Sequence, residues 1–309
     1  MSDKAVTSVG LSMPNLPIGV VVNNSSGKGR GRLVASEAWR ALAQVPTVDL
    51  SADTFDQALA QAKAAVAAGQ ISALAVVGGD GMVHLGVNAC ANTDVPLMII
   101  PAGTGNDSAT VLGIPTDDTA AAVAMGLAAM EKPRRFDLIS GNTAERQFYS
   151  FGTVSAGFDA LVNAKANRMS WPKGPSRYQV AMVLELLRFK GLRYKAEIDG
   201  KPRDIEAMLC AVANIHSFGG GMMIAPHAKP DDGQLDLFIV HRITRATLLK
   251  IFPKVYTGGH VTHPAVEFVS AKKVVLDNGA MPVYSDGEYV GTSPVTVEVL
   301  AGALKVCAL

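Results

Sequence analysis

The sequence predicts an α/β N-terminal domain with a mostly parallel sheet, followed by a mainly antiparallel β domain. Short β-branched runs alternate with helical stretches up to about Ile139, the pattern of strand–helix–strand units. Beyond Ser140 the strand-like runs follow one another closely, with one long helix among them. The length of 309 residues suits two such units at about 150 residues each.

After a polar tail to about Asn15, the run Ile18-Gly-Val-Val-Val22 is short, β-branched and bounded by polar turn residues, as a buried strand should be. A helix near Arg32 to Ala43 follows, then a strand Thr47 to Leu50. The next helix spans about Thr54 to Ala68, with Ser51 or Asp53 as its cap. A strand Ala73 to Val77, a helix near Val83 to Ala91, a strand Pro96 to Ile100, helical pieces between Asn106 and Met130, and a strand Arg135 to Ile139 complete the first unit. The polar stretch Ser140-Gly-Asn-Thr143 reads as the linker, dividing the chain into 1–139 and 140–309.

In the second unit the strands are Gln147 to Val154, Leu192 to Ile198, Ile205 to Ala213, Leu235 to Val240, Ala265 to Val269, Lys273 to Leu276, Pro294 to Leu300 and Leu304 to Ala308. The last of them is free to return toward the first unit. The long helix is Ser176 to Lys190, with Val180, Val183, Leu184 and Leu187 at helical spacing.

Composition narrows the function. Hydrophobic residues make up 49% and charged residues 18%, which excludes wholesale disorder. A net charge of +1 removes the usual footprint of a nucleic-acid binder. No apolar run approaches the roughly 20 residues of a membrane span. The three cysteines, Cys90, Cys210 and Cys307, stand far apart in apolar surroundings and read as reduced, buried and cytoplasmic.

Glycine, at 30 of 309 residues, is concentrated where strands end. Asn23-Asn24-Ser25-Ser26-Gly27-Lys28-Gly29 follows the first strand, Gly78-Gly79-Asp80-Gly81 the third and Pro101-Ala102-Gly103-Thr104-Gly105-Asn106-Asp107 the fourth. In an open α/β sheet these loops converge on one edge, where backbone N–H groups and helix N-termini favour a phosphate. A nucleotide is the expected guest. No GxxxxGK[ST] loop is present, and Gly27-Lys-Gly29-Arg-Gly31-Arg32 fails GxGxxG at its last position.

Five motifs in order, Gly78-Gly79-Asp80-Gly81, Gly103-Thr104-Gly105-Asn106-Asp107, Gly219-Gly220-Gly221-Met222, Asp232-Gly233-Gln234-Leu235-Asp236 and Asp286-Gly287-Glu288, resemble the diacylglycerol kinase catalytic family, which includes bacterial soluble lipid kinases and sphingosine kinases. The resemblance runs from Val20 to Leu304. It implies an α/β nucleotide domain, a C-terminal β-sandwich and a cleft between them where ATP and Mg2+ serve phosphoryl transfer to a lipid hydroxyl, most simply that of diacylglycerol. Asn23, Ser25, Ser26, Gly27, Gly78, Gly79, Asp80 and Gly81 then surround the phosphates, with Thr104 and Asn106 on the nucleotide side. Asp80 holds the metal, Asp286 supports it and Glu288 takes the hydroxyl proton. Asp232, with backbone oxygens of Lys229 and Gln234, matches a second, structural magnesium site. Asp137 matches an acidic position at the domain junction, and Gly219 to Gly221 lie near the cleft.

Related chains usually carry Thr, Asn and Glu where this one has Met82, His84 and Leu85, and Asn24 replaces a common proline. An NAD kinase-like enzyme, which shares Gly-Gly-Asp-Gly, and a non-catalytic nucleotide or lipid sensor stay open beside the lipid kinase. His260 and His263 show HxxH spacing without acidic or cysteine neighbours, so a structural role is favoured over a metal pair. The segment Met169-Ser-Trp171-Pro172-Lys173-Gly174-Pro175 is the better candidate for peripheral contact with the inner membrane face, while the basic stretch Arg188 to Lys195 reads first as a solvated helix end and second as a contact for anionic headgroups. A homodimer is also left open.

Overall fold

The computed structural model describes residues 16–24, 26, 31–172, 177, 180, 181, 184, 185 and 191–309. The first half alternates as β1 (Ile18–Val22), α1 (Gly31–Ala41), β2 (Thr47–Asp49), α2 (Phe55–Ala67), β3 (Ala73–Gly78), α3 (Asp80–Cys90), β4 (Leu97–Pro101), α4 (Asp107–Val111), α5 (Thr119–Ala129) and β5 (Arg134–Asn142). Strands β2, β1, β3 and β4 lie side by side in parallel, with Val20 opposite Ala75 and Val76 opposite Ile99. Helices cover both faces, so β3 is apolar throughout: Leu74 and Val76 enter one core, and Ala73, Ala75 and Val77 the other. Helix α3 is buried on nearly every side, as a helix caught between the sheet and the second half of the chain must be.

The second half comprises β6 (Gln147–Ser150), β7 (Thr153–Ser155), α6 (Phe158–Arg168), β8 (Leu192–Ile198), β9 (Lys201–Ala213), β10 (Leu235–His241), α7 (Arg245–Ile251), β11 (Val266–Ala271), β12 (Lys273–Asp277), β13 (Pro282–Ser285), β14 (Glu288–Thr292) and β15 (Val295–Val306). Its strand pairs are antiparallel, as expected. Strand β9 changes partners along its length, pairing first with β8 and then with β7 and β10, so it turns the corner of the sandwich.

Strand β15 joins the halves. The two strands read from Pro294 to Leu300 and Leu304 to Ala308 are one, kinked by a bulge between Leu300 and Leu304. It pairs with β12 and β5, and its end runs parallel to β4 with Val306 opposite Leu97. Asp137 on β5 secures this junction. Its Oδ1 accepts from the Gly302 N–H in the bulge at 2.7 Å, and its Oδ2 accepts from the Gly233 N–H at 2.6 Å.

Several local expectations change. The stretch Ser140 to Asn142 is strand, held by ladders to β6 and β15 on either side, which outweigh its poor strand propensity. Thr54 caps α2, its hydroxyl accepting from the Gln57 N–H at 3.3 Å. Ser51 instead accepts from the Val22 N–H at 2.9 Å, and so reaches back to β1. Helices α6 and α7 and the β13–β14 hairpin were not read from the sequence. The helix expected over Ser176 to Lys190 lies for most of its length outside the described residues, as do Ser25, Gly27 and Lys173. All three cysteines are buried. His260 is buried, with Nε2 3.1 Å from the Ile224 carbonyl, and the His263 Nδ1 accepts from the Ala265 N–H, so both serve local structure. Among the described residues no helix is long and apolar enough to cross a membrane.

Candidate active site

Strands β1, β3 and β4 point the same way, so the loops that follow them meet at one edge of the sheet. Two of these loops touch through backbone alone. A Cβ on Gly103 would stand 2.6 Å from the Gly79 Cα, and one on Gly79 3.1 Å from the Gly103 Cα. A side chain at Gly103 would collide outright, and one at Gly79 would press on the Gly103 backbone.

Between the loops lies a cleft of about 270 Å³. Of the residues expected there, Asn23, Ser26, Gly79, Asp80, Gly81, Thr104 and Glu288 line it. Gly103, Gly105, Met82 and Phe55 line it as well, and Phe55 was missed because it opens a helix distant in sequence from every glycine motif. Gly78 and Asn106 stand behind the surface. A Cβ at Gly78 would collide with Met82, so the glycine makes room for that side chain. Asn106 adopts a left-handed conformation at φ 53° and closes its own loop, its Oδ1 accepting from the Gly103 N–H at 2.9 Å. Its amide shapes the loop that presents Thr104.

Asp80 begins α3, where the helix N-terminus favours a carboxylate. Its Oδ1 accepts from the Ser108 N–H at 3.1 Å, and its Oδ2 faces Gly105. Burial pushes its carboxyl above the usual range, and the charges of Asp107 and Asp286 add to this against the pull of the backbone N–H donors. Asp107 reaches across to the second half of the chain, accepting from the N–H groups of Gly220 and Gly221 at 2.7 Å each. This places the Gly219 to Gly221 loop at the cleft, and the role of Asp107 as its anchor was not legible from the motif.

Glu288 arrives from the opposite side on the β13–β14 hairpin. Asp286 and Gly287, at φ 50° and 88°, are both left-handed, as a two-residue hairpin turn between paired Ser285 and Glu288 requires. The Glu288 side chain is exposed, and its Oε1 lies 3.4 Å from where a Cβ on Gly81 would be.

Asp286, expected to support the metal, is held by donors of the protein itself. Its Oδ1 accepts from the Ser150 hydroxyl at 2.7 Å and from the N–H groups of Gly152 and Thr153 at 2.9 Å each. Its Oδ2 accepts from the Phe151 N–H at 3.1 Å and lies 3.3 Å from the His84 Nδ1. Protein donors fill both oxygens, so the carboxylate plugs the β6–β7 turn and fastens the hairpin there. Burial alone would raise this carboxyl, but the bonds from His84, Ser150 and Thr153 outweigh it and hold it below the usual range. Asp286→Ala should therefore lose about 3 kcal/mol of stability, because several buried donors are left without an acceptor. Asp286→Asn should lose less. A depressed carboxyl stabilises above the ordinary value of 3.8 and ceases to do so as pH falls through its folded-state value, so the gap between wild type and Asp286→Asn should narrow below pH 4 in urea unfolding curves.

Lys229, Asp232 and Gln234 lie away from the cleft. Asp232 accepts from the Gln234 N–H at 3.0 Å within its turn. Burial first, and the Asp232 charge second, raise the nearby Asp236 carboxyl. Among the described residues no three His, Cys, Asp or Glu side chains gather as a metal site.

Comparison with known proteins gives these elements a family context. A family model described as the diacylglycerol kinase catalytic domain matches residues 17–140, and one described as the YegS C-terminal NAD kinase beta sandwich-like domain matches residues 152–308. A diacylglycerol kinase of Mycobacterium tuberculosis is 38% identical over 245 residues, which cover 79% of this chain and 78% of that one. One from Bacillus subtilis is 27% identical over 221 residues, 70% and 71% of the two chains. The crystal structure of a diacylglycerol kinase from Bacillus anthracis superposes with a TM-score of 0.70 at 21% identity, covering 95% of this chain and 97% of that one. That last likeness is one of fold.

Proposed function

The chain belongs to the diacylglycerol kinase catalytic family, and from that premise we propose that this lipid kinase transfers the γ-phosphate of ATP to the free hydroxyl of diacylglycerol, with Glu288 as proton acceptor. The observation that carries the reading is the meeting of Glu288, delivered from the second half, with Asp80 and Gly81 at the start of α3. A carboxylate facing a helix N-terminus across glycine loops has what the reaction asks for. It offers donors for phosphate oxygens and a group to accept the hydroxyl proton.

In this reading residues 1–139 bind ATP and residues 140–309 the lipid. The backbone of Gly79, Gly81 and Thr104, with Asn23 and Ser26, holds the phosphates; Ser25 and Gly27, outside the described residues, are assigned to the phosphates by the family resemblance alone. The lipid oxygen forms its bond to the γ-phosphorus while the bond to the ADP oxygen breaks, and the proton leaves to Glu288. Asp80 suits a cation, because its carboxyl, raised first by burial and then by the charges of Asp107 and Asp286, is turned toward Gly105 in the cleft. Mg2+, when bound, neutralises phosphate charge as the transfer proceeds. Asp232, with backbone oxygens of Lys229 and Gln234, is the second magnesium site in this reading; Asp236, raised first by burial and then by the Asp232 charge, lies nearby. Trp171, 78% exposed after α6, supports contact with a membrane surface.

The test offers the chain γ-labelled ATP and Mg2+ with diacylglycerol, a sphingoid base, phosphatidylglycerol or NAD, the lipids in mixed micelles. Diacylglycerol is expected to take the label fastest. Labelling of NAD with no lipid labelled would sink the reading, and nucleotide binding without any transfer would favour a sensor.

A further inference from the structure

Gly81, His84 and Asn88 stand three and four residues apart, and so line one face of α3. Each meets the second half of the chain. Gly81 stands under the Glu288 carboxylate, and His84 Nδ1 approaches Asp286. Asn88 engages both backbone groups of Tyr149, donating from Nδ2 to its carbonyl at 2.9 Å and accepting from its N–H at 3.0 Å.

The Tyr149 bonds fix which end of the Asn88 amide is nitrogen. That nitrogen lies 3.2 Å from the His84 Nε2 and 2.9 Å from the His84 carbonyl. Its two hydrogens go to the two carbonyls at 2.9 Å, and an amide nitrogen accepts nothing, so an Nε2–H would find no acceptor there, whereas the Asp286 carboxylate facing Nδ1 only accepts. The ring hydrogen of neutral His84 is therefore on Nδ1, where it donates to the Asp286 Oδ2. The ring also stacks on Phe55, with centroids 6.4 Å apart and planes at 24°. Tautomer and orientation are both set by neighbours.

Asp286 is separated from Glu288 by Gly287 alone. The β6–β7 turn holds the hairpin to its own half of the molecule, and among the described residues His84 is the side chain that bonds the Asp286 carboxylate directly to α3, the helix that begins with Asp80 and Gly81. We propose that His84 is a positioning residue for Glu288, its Nδ1–H bond to Asp286 setting the distance between the proton acceptor and the phosphate loops. This rests on Glu288 being the proton acceptor. It also gives a task to one of this chain's departures from the family pattern.

Two measurements on the full chain test it. In NMR of histidine labelled with 15N and 13C, the signal lost in His84→Gln should show the Nδ1–H tautomer; the Nε2–H tautomer would overturn the proposal, whatever the activity. In steady-state kinetics with the best lipid of the panel, His84→Phe, which keeps the stacking ring, should lower kcat about 10-fold or more. The KM for ATP should stay within about two-fold, because the phosphate loops are untouched, and thermal melting should show the variant folded at the assay temperature. His84→Gln regains a donor of similar reach, and should recover at least about three-fold over His84→Phe. His84→Leu replaces His84→Phe with the same expectation if the latter does not fold. In a Glu288→Gln background His84→Phe should add no further loss, since the two act as one unit. Near-normal kcat in His84→Phe beside an inactive Glu288→Gln sinks the tether alone. No recovery in His84→Gln, or multiplied losses in the double variant, does the same. Near-normal activity in Glu288→Gln sinks the proton-acceptor reading, and the tether with it.

Discussion

Glu288→Gln is expected to lower kcat by about 10³-fold while leaving the fold intact. The substitution keeps the size of the side chain and removes only its capacity to take a proton. Glu288 is exposed at the first position of β14, and exposed changes of this kind alter stability by no more than about 0.5 kcal/mol. The hairpin stays in place, because its anchor is Asp286, whose bonds to the β6–β7 turn do not involve Glu288. The KM for ATP should be nearly unchanged, since the glycine loops and the start of α3 are on the other wall of the cleft. Initial rates of labelled phosphate transfer, with a melting curve on the same sample, decide the matter. A variant that keeps a tenth or more of wild-type kcat shows that the proton goes elsewhere.

Asp80→Asn should separate activity from stability. The Asp80 carboxyl is raised above 3.8 in the folded chain, first by burial and then by the neighbouring acids. A carboxyl raised in this way binds its proton more tightly folded than unfolded, so ionising it destabilises the fold as pH climbs from near 3.8 through the folded-state value. Asparagine carries no such charge and keeps an oxygen for the Ser108 N–H. The variant should therefore melt higher than wild type at pH 7, and the advantage should vanish as pH falls below about 4. Activity should fall about 10²-fold or more, because a neutral amide is a poor partner for a cation bound between phosphates. A variant that melts lower at pH 7, or that transfers phosphate at the wild-type rate, contradicts the account of Asp80 as a buried charge awaiting a counter-ion.

The two substitutions probe opposite walls of one cleft, and the sequence revealed those walls unequally. Ala73 to Val77 reads as a buried strand because helices on both faces demand apolar residues at every position. The glycine loops are equally visible, since a backbone that must approach another backbone or a phosphate excludes a Cβ, as at Gly79 and Gly103. The setting of Asp286 was hidden. Asp-Gly signals a turn, but nothing near it in sequence says that its carboxylate fills the turn between β6 and β7. Asn106 and Gly78 were visible as parts of their motifs, but not that one closes its own loop and the other makes room for Met82.

Periodicity, apolar runs and glycine at strand ends report what each segment requires of its immediate surroundings, and these settled the order of elements in the first half, its parallel sheet and the identity of the loops at the sheet edge. Register between distant strands, and the partners of buried carboxylates, depend on which segments meet. Asp137 bonds to Gly233 and Gly302, Asp107 to Gly220 and Gly221, and Asp286 to Ser150 and its neighbours, contacts that span 96 to 165 residues. A carboxylate can satisfy its oxygens with a metal, a ligand or any backbone N–H that folding brings near, and its local sequence is the same in each case. Only the packed chain shows which of these each acid has found.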